Sequence, residues 1–188
     1  MPERSGLVTT AELAASLGQS NLRIFDCTTY LDYQPPGSDM PYVAVPGRQT
    51  FETAHIPGAD FLDLQGEFSD QTTPLRFMMP PTDQLAAAFG RHGIGADSRV
   101  VLYSIGTMMW ATRFWWMLRS LGFENASVLD GGFDKWTAEG RATETGPAKP
   151  PGLVTGAAYS AAGMATINAA RIDDRMAVIM LSPSKCDR

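Results

Sequence analysis

Cysteine is almost missing from this 188-residue chain: only Cys27, in an apolar segment, and Cys186, near the end, occur. Two such distant cysteines make no disulfide framework. Histidine is as scarce, and His55 and His92 share no ligand spacing with each other or with the cysteines. No metal site is expected. Long apolar runs are also lacking. Nothing approaches the roughly 18 residues of a membrane helix, and the start "MPERSGLVTTAEL" has no apolar core of a secretory signal. This excludes a membrane partner of the helical kind and makes the cytoplasm the expected compartment. Positive charge is not in excess either. With 15 basic against 20 acidic residues, a net charge of -5 and no long run of one sign, a nucleic-acid partner is not expected. Gly131-Gly132 lacks the third glycine or the Lys-Ser/Thr of a phosphate loop, so no cofactor is expected.

What remains is an ordinary globular composition, 44% hydrophobic and 19% charged, with enough apolar surface for a core. Thr9 and Glu12 have capping-box spacing at the head of a short helix that Gly18 would end. Leu22 to Thr28 and Arg99 to Ser104 read as buried strands. Thr82 is a candidate N-cap for a helix ended by Gly93, and Met108 to Leu121 reads as a helix apolar nearly all round. "ASVLDGG" is strand then tight turn, followed by the short helix "FDKWTAEG". Alternating strands and helices with short connections predict a central parallel sheet with helices on both faces, a three-layer α/β domain. The stretch around Pro35, Pro36, Pro41 and Pro46 reads as a long loop. After residue 141 the pattern fails. A Pro/Gly-rich segment, 142–158, reads as an interdomain linker, and 159–188 as one helix and one strand opening a second, incomplete domain.

Few side chains here suit chemistry. Ser104 stands where a strand turns into a helix, the place of a nucleophile in an α/β fold, but Ile105 to Met109 offer no general base. Met108, Met109 and Trp110 would crowd a ligand. Cys27 is the alternative thiol, although free cysteine usually packs as a small hydrophobe. His55, beside Pro57 and Gly58, is expected to fix a turn. His92 is expected to be a cation at a helix C-terminus. Asp26 and Arg113 are a candidate buried pair. Trp110, Trp115, Trp116 and Met117, at helical spacing, are expected in core and interface.

Taken together, "FETAHIPGA" (51–59), the strand-loop-helix "VVLYSIGTMMWATRFWWML" (100–118) and "VLDGGFDKW" (128–136) resemble the rhodanese-like sulfurtransferases. Within that family, "ATRFWWMLRSLGFENASVLDGGFDKW" is similar to the noncatalytic N-terminal domain of two-domain thiosulfate and 3-mercaptopyruvate sulfurtransferases. The resemblance covers roughly residues 7–141. It implies that Ser104 stands at a vacated catalytic-cysteine position, so that no catalytic residue is expected in this chain. It also implies that Asp26, His55, Pro57, Gly58, Arg113, Asp130, Gly131, Gly132 and Trp136 are structural. The implied partners are a catalytic rhodanese domain, in this chain or another, and a small sulfur donor in the complete enzyme. Thr28-Thr29 depart from the family's aromatic residue after the second strand, and Arg171 is out of register for its donor-binding arginine. The alternative is a stand-alone rhodanese-like binding module.

Overall fold

The computed structural model describes residues 6–148. Five strands, β1 (Leu7–Val8), β2 (Leu22–Asp26), β5 (Ala59–Phe61), β6 (Arg99–Tyr103) and β7 (Ala126–Leu129), form one sheet in the order β1-β7-β6-β2-β5. Every neighbouring pair is parallel. Such a sheet needs cover on both faces, because its crossovers are helices.

The period of two along each strand sorts its side chains between the faces. Phe25, Cys27, Val100, Leu102 and Val128 point into one cluster, shared with α3 (Thr82–Arg91) and α4 (Met109–Ser120). Ile24, Val101, Tyr103 and Leu129 point into the other. Buried side chains of α1 (Thr10–Ser16), α2 (Arg48–Thr53) and α5 (Gly132–Ala138), such as Leu13, Phe51 and Trp136, complete that second cluster. The three-layer architecture follows directly from the sequence alternation. Leu85, Phe89, Phe114 and Leu118, all fully buried, are the helical half of the first cluster.

Local signals account for the element ends. Thr9 and Glu12 close a reciprocal capping box on α1, worth about 1 kcal/mol. Helix α3 differs from expectation: its N-cap is Pro81, and Thr82 is already helical. Proline at the cap removes one first-turn N–H and offers no side-chain acceptor to the others.

The stretch expected as a long loop folds instead as an antiparallel hairpin, β3 (Thr29–Tyr33) with β4 (Tyr42–Pro46). Its prolines do not break it, because Pro35, Pro36 and Pro41 lie in the connection and Pro46 at a strand end. The first part of the stretch expected as linker also belongs to the domain. Glu144 and His55 exchange backbone hydrogen bonds of 2.9 Å, and Gly146 N–H donates to the Glu52 carbonyl at 2.7 Å. The expected helix and strand of 159–188, with Arg171 and Cys186, lie outside the described residues. Among the described residues no helix is long and apolar enough to cross a membrane.

Candidate functional site

The C-terminal ends of β2, β6 and β7 meet at one rim, where open α/β sheets bind ligands. Ser104 follows β6 there and is buried. Its hydroxyl donates to the Thr107 carbonyl within its own loop. Among the described residues no histidine bonds to it. His55 Nδ1 pairs with the Phe51 carbonyl at 2.8 Å while its ring stacks on Phe51 at 4.0 Å. His92 lies elsewhere, between Asp60 and Glu67.

A loop that holds an anionic sulfur must present free backbone N–H groups. Here several are already engaged. Ile105 N–H donates to Thr28 Oγ1 at 3.1 Å. Gly106 N–H donates to the Asp134 carboxylate at 2.6 Å. Thr107 N–H turns back to the Ile105 carbonyl at 2.8 Å, and Met109 N–H donates to Thr107 Oγ1 at 3.2 Å. The expected crowding by methionines is not what closes the loop, since Met109 is half exposed and Met108 packs against the first core cluster. Closure comes from hydrogen bonds, and from Asp134, which the sequence did not single out.

Thr28 links this loop to a buried acid. Its hydroxyl and its N–H both donate to Asp26 Oδ1, at 2.5 and 2.8 Å, while Asp26 Oδ2 has no hydrogen-bond partner. Burial pushes the Asp26 carboxyl up to about 6, with Thr28 and Tyr103 pulling the other way. The expected Asp26–Arg113 pair does not exist, and parity explains why. Asp26 projects with Ile24 into the α1, α2 and α5 side, whereas Arg113 belongs to α4 on the opposite side. Arg113 instead donates to the Phe77 carbonyl at 2.7 Å and lies over the Trp116 ring.

Cys27 is fully buried on the α4 side. Burial, the nearby Asp26 charge second to it, raises its thiol well above the ordinary range. Such a thiol is inert as a nucleophile.

The two glycine motifs have distinct physical roles. Gly58 takes φ +77 with open space around it, so it supplies conformation alone. Gly132, at φ +58, lies against the Ser104 backbone so closely that a Cβ would strike the carbonyl oxygen. Phe133 N–H donates to that same carbonyl at 3.2 Å. Asp130 holds Lys135 at 2.6 Å, and Trp136, buried, donates to the Ala142 carbonyl at 2.9 Å. His55 and Pro57 sit under the strap that Glu144 makes: Glu144 Oε2 accepts from Gly58 N–H at 3.2 Å and lies 3.9 Å from His55 Nε2. Gly132 and Phe133 thus pack against the Ser104 carbonyl, while His55 and Gly58 contact Glu144.

A parallel five-stranded sheet covered on both faces, with a strand-to-helix loop at its rim buttressed by a Gly-Gly turn, defines a three-layer α/β domain. Residues 9–139 match the family described as Rhodanese-like domain, and the chain belongs to that family. It is 37% identical over 134 residues to thiosulfate sulfurtransferase from Gallus gallus, covering 70% of this chain and 42% of that protein. To 3-mercaptopyruvate sulfurtransferase from Homo sapiens it is 34% identical over 131 residues, covering 69% and 41%. The crystal structure of SseA from Escherichia coli, titled for 3-mercaptopyruvate sulfotransferases, superposes with a TM-score of 0.62 at 31% identity, covering 77% of this chain and 53% of that one. The chain spans about half, or less, of the length of these relatives.

Proposed function

We propose that this chain is the noncatalytic rhodanese half of a thiosulfate or 3-mercaptopyruvate sulfurtransferase, and that the sulfur is carried by a second, cysteine-bearing domain. One observation carries the reading: at the strand end where a persulfide would form stands a buried serine, in a loop whose N–H groups are engaged internally.

The chemistry supports that reading. In sulfane transfer a thiolate attacks the outer sulfur of thiosulfate, the S–S bond breaks, and sulfite leaves with the bonding pair. The resulting persulfide passes its outer sulfur to cyanide or a thiol and the thiolate is regenerated. A serine hydroxyl lacks both the acidity and the sulfur for this. Asp26, two hydrogen bonds from Ile105 N–H, adds negative potential where an anionic intermediate would need positive.

Thiocyanate formation from thiosulfate and cyanide tests the proposal. The chain alone is expected to give only the uncatalysed background. Turnover above background that disappears in Cys27→Ser would sink it.

A further inference from the structure

We propose that Asp26 and Thr28 form a proton-operated tether for the loop between β6 and α4: while Asp26 is ionised Thr28 grips Ile105, and when Asp26 takes up a proton the grip slackens. This holds whether or not the chain carries sulfur.

The tether is a continuous chain of hydrogen bonds across two strand ends. Ile105 N–H donates to Thr28 Oγ1 at 3.1 Å, and the one proton of that hydroxyl goes to Asp26 Oδ1 at 2.5 Å. Thr28 N–H donates to the same oxygen at 2.8 Å. The short contact between hydroxyl and carboxyl has the length of a bond to a charged acceptor. A hydroxyl polarised by donating to a carboxylate is itself the better acceptor, so the ionised acid strengthens the bond from Ile105. Thr28 has no room to absorb a change by re-aiming. It is fully buried, its carbonyl accepts from Gly47 N–H at 2.8 Å, and the Gly47 backbone comes so close that a Cβ there would strike the Thr28 side chain.

The other oxygen of the acid receives the proton. Asp26 Oδ2 is buried without a hydrogen-bond partner. Protonation there breaks no bond to Thr28, yet it turns Oδ1 from a charged acceptor into a neutral one, of roughly half the strength. Tyr103, the neighbour of Asp26 in register on β6, and Cys27, next along β2, are both kept neutral by burial. The turn after α2 brings His55, with Glu144 3.9 Å from it, and α2 itself brings Arg48, over the ring of Phe61, the β5 partner of Asp26. Helix α5 sets Phe133 on the Tyr103 ring and Asp134 on Gly106, and α1 contributes apolar side chains. Among the described residues no cation is salt-bridged to Asp26. Burial therefore prevails over the opposing pulls of Thr28, Tyr103 and His55, and the carboxyl is pushed up to about 6. Gly106, held by Asp134, is a separate anchor of the same loop, so the end beside Ser104 is the one that responds.

The test follows the isotope-labelled full chain by NMR between pH 8 and pH 5. The Asp26 carboxyl carbon and the Ile105 amide are expected to titrate together, with a midpoint of about 6. Exchange of the Ile105 amide, corrected for its intrinsic dependence on pH, should be roughly threefold less protected at the acid end, the factor for a charge-assisted bond that loses half its net contribution. Asp26→Asn is expected to flatten the Ile105 profile. Thr28→Val should leave Asp26 titrating and uncouple Ile105 from it, whereas Thr28→Ser, which keeps the hydroxyl, should retain the joint response. An Ile105 amide that does not move through the Asp26 midpoint, or that follows the His55 ring instead, would overturn the proposal in the wild type alone, whatever the variants do. An Ile105 response that survives Thr28→Val would overturn it as well.

Discussion

Two acidic sites on opposite faces of the sheet, one half-buried and one fully buried, handle their charge in opposite ways. On the α3 and α4 side, Asp60 and Glu67 close on His92 from both ring nitrogens, at 2.6 and 2.9 Å, and Arg91 joins Glu67 at 2.8 Å. Phe25 and Phe68 wall the imidazole. Burial alone would lower its pKa, but the hydrogen bonds to the two carboxylates prevail and raise it to about 9. On the other side, Asp26 accepts from the neutral Thr28 and has no salt-bridged cation among the described residues; burial raises its pKa to about 6 against the smaller opposing effects of Thr28, Tyr103 and His55. The first arrangement ties residues 60–67 to the end of α3 through a constitutive imidazolium. The second leaves a proton-hungry acid under the Ser104 loop. A domain can bury charge cheaply when a cation is supplied, and its rim is where that supply is withheld.

The comparison breaks most visibly at His92. His92→Leu leaves Asp60 without its cation and Glu67 with Arg91 alone, and is expected to cost about 2 kcal/mol, the scale of losing charge-assisted hydrogen bonds at a half-buried site. In the wild type the same contribution is pH-linked. It is complete below the ordinary 6.5 and disappears as pH rises through about 9. Urea melts between pH 6 and 10 should show that decline in the wild type and a flatter profile in the variant. An imidazole titrating near 6.5 by NMR would refute the clasp.

Asp26 should behave with the opposite preference. Its folded-state pKa lies above the usual 3.8, so the folded protein binds the extra proton. Its contribution is complete below 3.8 and lost as pH rises through about 6. Asp26→Asn keeps an acceptor for Thr28 and removes the ionisation. It is expected to abolish a gain of about 2 kcal/mol that acidification from pH 7 to 4 otherwise brings from this group. Melts at the two pH values, wild type against variant, isolate that difference from the other acids.

How far these sites were legible in the sequence depends on the distance over which their logic runs. The capping box of Thr9 and Glu12 spans one turn, and the buried strands show in four or five consecutive residues. The Gly-Gly turn was readable as a turn, but its close approach to the Ser104 carbonyl was not, because that contact joins two separate strand ends. The Asp60–His92–Glu67 clasp gathers residues 25 to 32 positions apart. No local pattern marks it, and His92 read only as a helix-end cation. The pairing of Asp26 with Arg113 rests on chemistry alone, whereas the period of two, with Val100 and Leu102 facing α4 and Ile24 facing away, separates them. The hairpin is hidden because prolines read as breakers whatever their position. The register Tyr30 to Val45 and Asp32 to Val43 places them all outside the paired interior.

The finer distinction is between the two positions that invite a sulfur reading, Cys27 and Ser104, which lie on neighbouring strands at the same rim. Cys27 has the thiol and no access. In native buffer it should resist iodoacetamide and react only once the chain is unfolded, which peptide mapping by mass spectrometry would show. Ser104→Cys supplies a thiol beside the loop instead. Its hydroxyl contact to Thr107 is lost, at about 1 kcal/mol, but Gly106 remains held by Asp134 and Ile105 by Thr28. The variant is therefore expected to form no thiocyanate above background. If Ser104→Cys turned over and Ser104→Cys/Asp134→Asn did so no faster, the engaged N–H groups would not be what disables the loop. If only the double variant gained activity, Asp134 would be identified as the group that holds the cradle shut.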